Sequence, residues 1–145
     1  MVMRLIEPRD LDEVMALVTR IFDQVFSEEM YMALHQAWPE GQILDVEGGR
    51  LAGVLLSMKR GPTTGRVLVM AVGEGYRDMG IGSHLLRAFN QQCVREGILR
   101  VVLEVRASNL RAQEFYRRYG FRPVEPLVSY YPDGEDAVVM TRDIA

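Results

Sequence analysis

One stretch of the chain, residues 67–86, constrains the fold more than any other. It reads VLVMAVGEGYRDMGIGSHLL, an apolar run followed by a glycine-bearing loop and then by apolar residues at helical spacing. The run predicts a buried strand, and the later spacing predicts a helix that begins near Gly80. The first N–H groups of a helix lack internal partners and carry the positive end of its dipole, and glycines let an anion approach the backbone. The turn therefore predicts a diphosphate site.

The glycine pattern excludes two familiar nucleotide-binding motifs. A P-loop requires a lysine directly after its last glycine, and the dinucleotide fingerprint requires a third glycine three positions after the second. Here Gly80-Ile-Gly82 is followed by Ser, His and Leu. The remaining pattern is R-x-x-G-x-G at the start of a helix. A glycine-rich turn that binds nothing is the alternative interpretation.

The composition predicts one domain without an overall attraction to nucleic acid. The chain has 145 residues, of which 48% are hydrophobic, and a formal net charge of −3. We therefore predict a single domain over residues 1–145 with no nucleic-acid or membrane partner. Cys93 is the only cysteine and no signal peptide is visible, which favours a reducing, cytoplasmic setting. His35 and His84 have no partners at metal-ligand spacing, so we predict no metal site.

Periodicity and turn residues predict the element order β-α-α-β-β-β-α-β-α-β-β. Asp10 and Glu13 predict a capping box for the first helix, and Ser27 predicts a cap for the second. We expect an antiparallel meander of the first four strands, followed by a parallel β-α-β step. The result is a mixed α/β (α+β) sheet of about seven strands flanked by about four helices. The predicted strands are 3–6, 42–46, 51–58, 67–72, 100–105, 121–130 and 136–141, and the predicted helices are 10–22, 27–37, 80–96 and 109–119.

Polar residues near the end of the fifth predicted strand are candidates for chemistry. Glu104 lies in a mostly apolar strand, where partial burial would strengthen it as a base; a solvent-facing surface with Arg106 as its partner is the alternative. Tyr116 could present its hydroxyl to a site or pack in the core. Asn109 is first interpreted as a helix cap, at a strand end where ligands tend to bind. The elbow Phe22–Phe26 could belong to the core or line a binding groove.

Four sequence blocks, taken with the glycine loop, resemble a known family. They are LEVRASN at 103–109, FY at 115–116, YGF at 119–121 and YYPDGEDA at 130–137. In this order and spacing they resemble the protein N-terminal acetyltransferase branch of the GNAT superfamily. The likeness is to the RimI-type enzymes, which acetylate the terminal alanine of a ribosomal protein, and to their archaeal relatives of broader specificity. It implies the GNAT fold, acetyl-CoA as cosubstrate and an acceptor amine, most simply the N-terminal α-amine of a protein.

The resemblance also implies roles for individual residues. Glu104 matches the general base and Tyr116 the general acid. Tyr130 and Tyr131 match an aromatic pair that closes over the acceptor, and Phe26 is assigned to the same groove. The Val72 N–H would polarise the thioester carbonyl. The implied cofactor-binding residues are Met70, Ala71, Val72 and Asn109 for the pantetheine arm and Arg77, Asp78, Met79, Gly80, Ile81, Gly82 and Ser83 for the diphosphate.

Two features depart from the family pattern. RimI-type loops usually carry basic residues or glutamine before the first motif glycine, where this chain has Asp78 and Met79. Weaker side-chain help to the phosphates is therefore expected. Residues 22–38 match no motif, so a small amine or a lysine side chain is an alternative acceptor. A non-catalytic CoA-binding module is the alternative function, and we expect a monomer or a weak homodimer.

Overall fold

The helices and strands follow one another in the predicted order. The computed structural model describes residues 2–22 and 26–144. Within these ranges the strands are β1 (Val2–Leu5), β2 (Ile43–Glu47), β3 (Arg50–Lys59), β4 (Thr64–Val72), β5 (Arg100–Arg106), β6 (Arg122–Leu127) and β7 (Ala137–Asp143). The helices are α1 (Leu11–Phe22), α2 (Glu28–Ala37), α3 (Ile81–Arg95) and α4 (Leu110–Arg118), with short 3-10 turns at Pro8–Asp10, Pro39–Gly41 and Glu74–Tyr76.

The strands form one mixed sheet in the order β1-β2-β3-β4-β5-β7-β6. The first four strands pair antiparallel, which confirms the predicted meander. Strands β4 and β5, which are joined through α3, pair in parallel, also as predicted. Strand β6 lies at the edge of the sheet and contains Pro123 and Pro126. Proline has no N–H group to donate, and an edge strand tolerates this loss because one of its sides has no neighbouring strand. The predicted fold class is confirmed.

Strands β4 and β5 pair only at their N-terminal ends. The parallel register joins Thr64 to Arg100 and ends at Arg66 and Val102, although β4 continues to Val72 and β5 to Arg106. The C-terminal halves of the two strands therefore diverge and leave a V-shaped cleft in the centre of the sheet. The cleft opens toward the start of α3 and of α4, since both helices follow the C-terminal ends of these strands.

Helices cover both faces of the sheet. On one face α1 and α2 pack against β2, β3 and β4, and on the other face α3 packs against β2 to β5, with the aromatic residues of α4 at the margin of the same cluster. Burial of each large apolar side chain stabilises such a core by about 1.5–3 kcal/mol. Representative buried residues are Val14, Val18, Val54 and Ala71 on the first face and Leu55, Leu85, Phe89 and Leu103 on the second.

A glycine in β3 sets the position of α3. A Cβ atom on Gly53 would lie 2.8 Å from Ile81 Cγ2 and 3.1 Å from Leu85 Cδ1. Such a contact is too short for a real side chain, so the beginning of α3 lies closer to the sheet than any larger residue would permit. This packing places the N-terminus of α3 directly beside the end of β4.

Two of the three predicted helix caps are confirmed. Ser27 accepts a hydrogen bond from Met30 N–H at 3.1 Å, and Asn109 accepts one from Ala112 N–H at 3.0 Å. The capping box of Asp10 with Glu13 is wrong. The Asp10 carboxylate instead accepts from the Glu7 N–H at 2.8 Å and from both terminal nitrogens of Arg4 at 2.7 Å. The Arg4 guanidinium of β1 thus occupies both Asp10 oxygens in place of a helix-capping bond, since a bidentate charged pair is stronger than a neutral hydrogen bond.

Candidate active site

The loop before α3 has the conformation of an anion-binding turn. Gly80 is the N-cap of α3 with φ 78°, and no side chain caps the first turn. The His84 N–H already bonds to the Gly80 carbonyl at 3.0 Å, so the N–H groups of residues 81–83 are the ones left without a helical partner. A Cβ on Gly82 would lie 3.4 Å from Phe115 Cζ, so glycine keeps this surface open. The geometry fits a diphosphate.

Two loop side chains do not help to bind an anion. Asp78 adopts φ 63°, and its carboxylate lies 2.9 Å from Arg111 Nη2 at the start of α4. Met79 is exposed. The negative charge of Asp78 opposes phosphate binding, whereas Arg111 offsets it. The expected weakness at these positions is consistent with the structure, and Arg111 is a cation that the sequence patterns did not single out.

The backbone of β4 presents alternate residues to the cleft. The Gly73 N–H bonds to the Ala52 carbonyl at 2.8 Å, and alternation along an antiparallel ladder then directs the polar backbone groups of Val72 and Met70 away from β3. Beyond Arg66 these groups have no β5 partner among the described residues. Ala71 faces the other way, with its carbonyl oxygen 3.1 Å from the position of a Gly53 Cβ. Of the three predicted residues, Met70 and Val72 can therefore bond to a molecule in the cleft through the backbone.

Helix α4 brings Tyr116 and Tyr119 to the same side of the sheet as α3. The partly exposed Tyr116 ring packs edge-on against Phe115 and Phe121, at centroid distances of 5.3 and 5.5 Å. Burial raises the pKa of the Tyr116 phenol above its usual 10, so the phenol is protonated at neutral pH. The Tyr119 hydroxyl donates to the Ser83 hydroxyl and joins α4 to the first turn of α3. In the sequence, Tyr119 belonged to the YGF block at 119–121 and had no role of its own.

Glu104 is held by arginines that are distant in sequence. Arg66 Nε lies 3.2 Å from Oε2 and Nη2 lies 3.0 Å from Oε1, while Arg60 Nη2 lies 3.9 Å from Oε1. The Glu104 side chain is only 11% exposed. The expected partial burial of Glu104 is therefore present, whereas the alternative with Arg106 as partner is wrong, because Arg106 pairs with carboxylates of the β6–β7 loop. Arg66 escaped sequence reasoning because the strand begins at Thr64, three residues before the predicted start.

The predicted aromatic pair lies on the same side as Glu104. Tyr130 and Tyr131 meet edge-to-face at a centroid distance of 5.1 Å. The Tyr130 hydroxyl accepts a hydrogen bond from Arg66 Nη2 at 3.0 Å, and the Arg106 guanidinium lies 4.1 Å from the centre of the Tyr131 ring. Both tyrosines are thus attached by arginines to the strands that border the cleft.

Carboxylates fix the loop that carries these tyrosines. Arg106 Nη1 lies 2.8 Å from both Asp133 and Glu135, and Glu135 also accepts from the Ser108 N–H at 2.9 Å. These hydrogen bonds, from Ser108 first and then from Arg106, lower the pKa of Glu135 to about 2. The loop therefore has a defined shape that does not depend on a bound acceptor.

Phe26, which the sequence assigned to the core or to an acceptor groove, packs beside α2. Its ring packs edge-on against Tyr31 at 6.4 Å within the α1–α2 cluster, which favours the core alternative for this residue. Phe22, at the other end of the elbow, is 41% exposed. Residues 23–25 lie outside the described ranges. The role of Phe26 toward an acceptor stays a prediction.

One cavity of the described chain lies away from these residues. It has a volume of about 280 Å³ between α1 and the connection from β4 to α3, lined by Glu13, Arg20, Leu51 and Tyr76 among others. None of the residues predicted to be catalytic borders it. The chemistry of the residues around the cleft between β4 and β5 marks it as the candidate site.

Residues 2–22 and 26–144 contain no group of three or more His, Cys, Asp or Glu side chains placed to hold a metal ion. No helix in these ranges has both the length and the apolar character needed to cross a bilayer. The polar groups described around the cleft include backbone amides, the hydroxyls of Tyr116 and Tyr130, and Glu104 with its arginines.

Comparison with known proteins assigns the chain to a family. The model of the acetyltransferase (GNAT) family matches residues 11–121. An uncharacterised N-acetyltransferase of Methanocaldococcus jannaschii is 32% identical over 144 residues, which cover 98% of this chain and 91% of the relative. An N-alpha-acetyltransferase of Sulfurisphaera tokodaii is 36% identical over 118 residues, which cover 78% of this chain and 70% of the relative.

A solved structure agrees with this assignment. Ard1 from Thermoplasma volcanium superposes with a TM-score of 0.95 at 33% identity, over 99% of this chain and 97% of that one. The match includes the diverging β4 and β5, the glycine loop and α4, since it extends over nearly the whole chain. With a mixed sheet, a glycine turn at the start of α3 and a family match that all agree, the chain belongs to the acetyltransferase (GNAT) family and is an acetyl-CoA-dependent N-acetyltransferase.

Proposed function

We propose that this enzyme acetylates the N-terminal α-amine of a protein or peptide. The observation that carries the proposal is the position of Glu104, Tyr130 and Tyr131 together on one side of the cleft. An extended N-terminus needs an open groove with aromatic walls and a base near its terminal nitrogen. The name of the Sulfurisphaera relative, an N-alpha-acetyltransferase, supports the same acceptor class.

Acetyl-CoA would lie along the cleft, with its diphosphate at the N–H groups of Ile81, Gly82 and Ser83. Arg77 is exposed beside this turn and could add a positive charge. Asn109 already caps α4 through its Oδ1 atom, so its amide nitrogen and the second lone pair of Oδ1 remain for the pantetheine arm. The backbone of Met70 and Val72 would hold the arm in the cleft, where the diverging strands leave polar groups unpaired.

Acetyl transfer then needs proton transfers at the acceptor nitrogen and the CoA sulfur, together with attack on the thioester carbonyl carbon. An α-amine has a pKa of about 8 and is mostly protonated at neutral pH, so it must first give a proton to Glu104, directly or through water. The free amine attacks the thioester carbonyl, and the Val72 N–H stabilises the oxyanion of the tetrahedral intermediate. The carbon–sulfur bond breaks, the Tyr116 phenol protonates the leaving CoA thiolate, and the acylated nitrogen loses its remaining extra proton to water. Tyr116 then regains a proton from solvent and Glu104 releases its own, so one proton is released for each acetyl group transferred. No covalent enzyme intermediate forms.

An acceptor panel with radiolabelled acetyl-CoA tests the proposal. Peptides that differ only at the first residue, the same peptides with a blocked α-amine, free polyamines and lysine peptides are compared. Label on free α-amines alone is expected. Label only on polyamines or lysines would show that the acceptor is not an N-terminal α-amine. CoA binding without any transfer would favour a non-catalytic module. Glu104→Gln should lower kcat/KM about 10²-fold or more with CoA binding unchanged.

We also propose a cytoplasmic single-domain enzyme that works as a monomer or a weak homodimer. The one cysteine, Cys93, is fully buried in the core and needs no oxidising compartment. The family match and the sheet extend over one continuous unit. Sedimentation analysis at micromolar concentration measures the oligomeric state directly.

A further inference from the structure

We infer that Arg66 is the residue that positions Glu104 and Tyr130 relative to each other, so that the base and the acceptor-binding loop act as one unit. This inference rests on the proposed function, because it assigns the geometry of the proposed base. Neither the sequence motifs nor the family resemblance gave Arg66 a role. Its side chain is 22% exposed and is directed to the acceptor side of the sheet.

The backbone of Arg66 pairs with a neighbouring strand on each side. Its Cα is in register with Met58 of β3 on one side and with Val102 of β5 on the other. The pair with Val102 is the last before β4 and β5 diverge. Arg66 therefore stands at the apex of the cleft, and Glu104, two residues beyond Val102, lies on the same face of the neighbouring strand.

The Arg66 guanidinium joins three segments of the chain. Its Nε and Nη2 atoms contact the two oxygens of Glu104 at 3.2 and 3.0 Å, and Nη2 also donates to the Tyr130 hydroxyl at 3.0 Å. A guanidinium is planar and rigid, so two contacts to a carboxylate fix its orientation as well as its distance. The Glu104 carboxylate and the Tyr130 hydroxyl are consequently held in a fixed relation to each other.

The second arginine cannot replace the first. Arg60 lies 3.9 Å from Glu104 through one nitrogen only, and its side chain is 53% exposed. Contacts of this kind between exposed groups contribute little and leave the orientation free. Without Arg66, Glu104 would keep a nearby positive charge but lose the contacts that determine its direction. Misplacement of a catalytic group by about 1 Å can slow a reaction by about 10²-fold.

A double-mutant cycle on acetyl transfer tests the inference. Arg66→Gln is expected to lower kcat about 10- to 100-fold while the KM for acetyl-CoA stays within about twofold. In a Glu104→Gln background, the same change should add less than about twofold, since the residue to be positioned is already lost. Arg66→Lys should recover only part of kcat, because an ammonium is a point charge without the fork.

Controls separate positioning from folding. Arg100→Gln removes a different ion pair, between the first residue of β5 and Asp143 at 3.3 Å, and should leave kcat unchanged. Calorimetry of CoA binding and melting curves identify any variant that fails to fold, in which case Arg66→Lys carries the cycle. Independent, multiplying effects of Arg66→Gln and Glu104→Gln would overturn the inference, as would full activity of Arg66→Gln.

The outcome also separates this inference from the proposed function. If wild type labels no α-amine, the acceptor assignment fails, while the cycle can still be measured on whichever amine is labelled. If Glu104→Gln is as active as wild type, Arg66 has no base to position and the inference fails, although α-amine transfer by wild type would remain established by the peptide panel.

Discussion

Replacement of Tyr116 by phenylalanine separates a general acid from a packing residue. The Phe variant keeps the ring and therefore its edge-on contacts with Phe115 and Phe121. Among residues 2–22 and 26–144 no hydrogen bond to the Tyr116 hydroxyl is present, so its removal breaks none. Because burial raises the pKa of this phenol, it holds its proton at neutral pH and can donate it to a leaving thiolate.

The expected size of each effect follows from these contacts. Loss of the hydroxyl should change the free energy of unfolding by less than about 0.5 kcal/mol, whereas Tyr116→Ala, which removes the ring, should cost about 3 kcal/mol. A chain of 145 residues has an unfolding entropy of about 0.3 kcal/mol/K. The melting temperature should thus change by less than about 2 °C for the Phe variant and fall by about 10 °C for the Ala variant.

Activity provides the other half of the test. A lost general acid should lower kcat about 10²-fold in Tyr116→Phe, with CoA affinity measured by calorimetry unchanged. Acetyl transfer and melting curves are recorded on the same preparations. A kcat within about twofold of wild type would show that another group protonates the thiolate. A fall in melting temperature as large as that of the Ala variant would instead establish the packing role that the sequence left open.

Three other perturbations have defined outcomes. Burial, and then the nearby Glu47 carboxyl, raise the pKa of Asp45 from 3.8 to about 7. The folded protein therefore binds more protons than the unfolded chain, and its stability decreases as the pH rises through 7. Asp45→Asn should raise the melting temperature at pH 8 but hardly at pH 4. Burial raises the pKa of Cys93 to about 12, so a thiol reagent at pH 8 should label the native protein about 10³-fold more slowly than free cysteine, and rapid labelling would contradict its buried position. Asp78→Asn should tighten CoA binding a few-fold at low salt and Arg111→Gln should weaken it, by calorimetry; equal affinities would mean that the pair lies too far from the phosphates.

Features that depend on neighbours in sequence were predictable. The Gly-Gly turn between β2 and β3 adopts φ 57° and 79°, values that glycine favours, and Ser27 and Asn109 cap helices within three residues of themselves. The strand-to-helix change at the glycine loop is a change in apolar period, which is local as well. Asp10 is the exception, because Arg4 lies across a turn and offers two charged donors.

The partners of the proposed catalytic residues were not predictable. Glu104 and Arg66 are 38 positions apart, and Arg66 and Tyr130 are 64 positions apart. Only the parallel pairing of β4 with β5 and the shape of the β6–β7 loop bring them within hydrogen-bond distance. A pattern read along one strand could offer Arg106 as a partner, but it could not show that Arg106 is engaged with Asp133 and Glu135.

By itself the sequence determined the order of the helices and strands, the glycine turn that begins α3 at Gly80 and the family, because each depends on spacing within a short segment. Tertiary structure alone decided where β4 and β5 diverge, which backbone groups face the cleft, and that arginines surround Glu104. The physical reason is that strand pairing joins residues without regard to their separation in the chain. The charge around a side chain is therefore a property of the folded sheet, not of the segment that carries it.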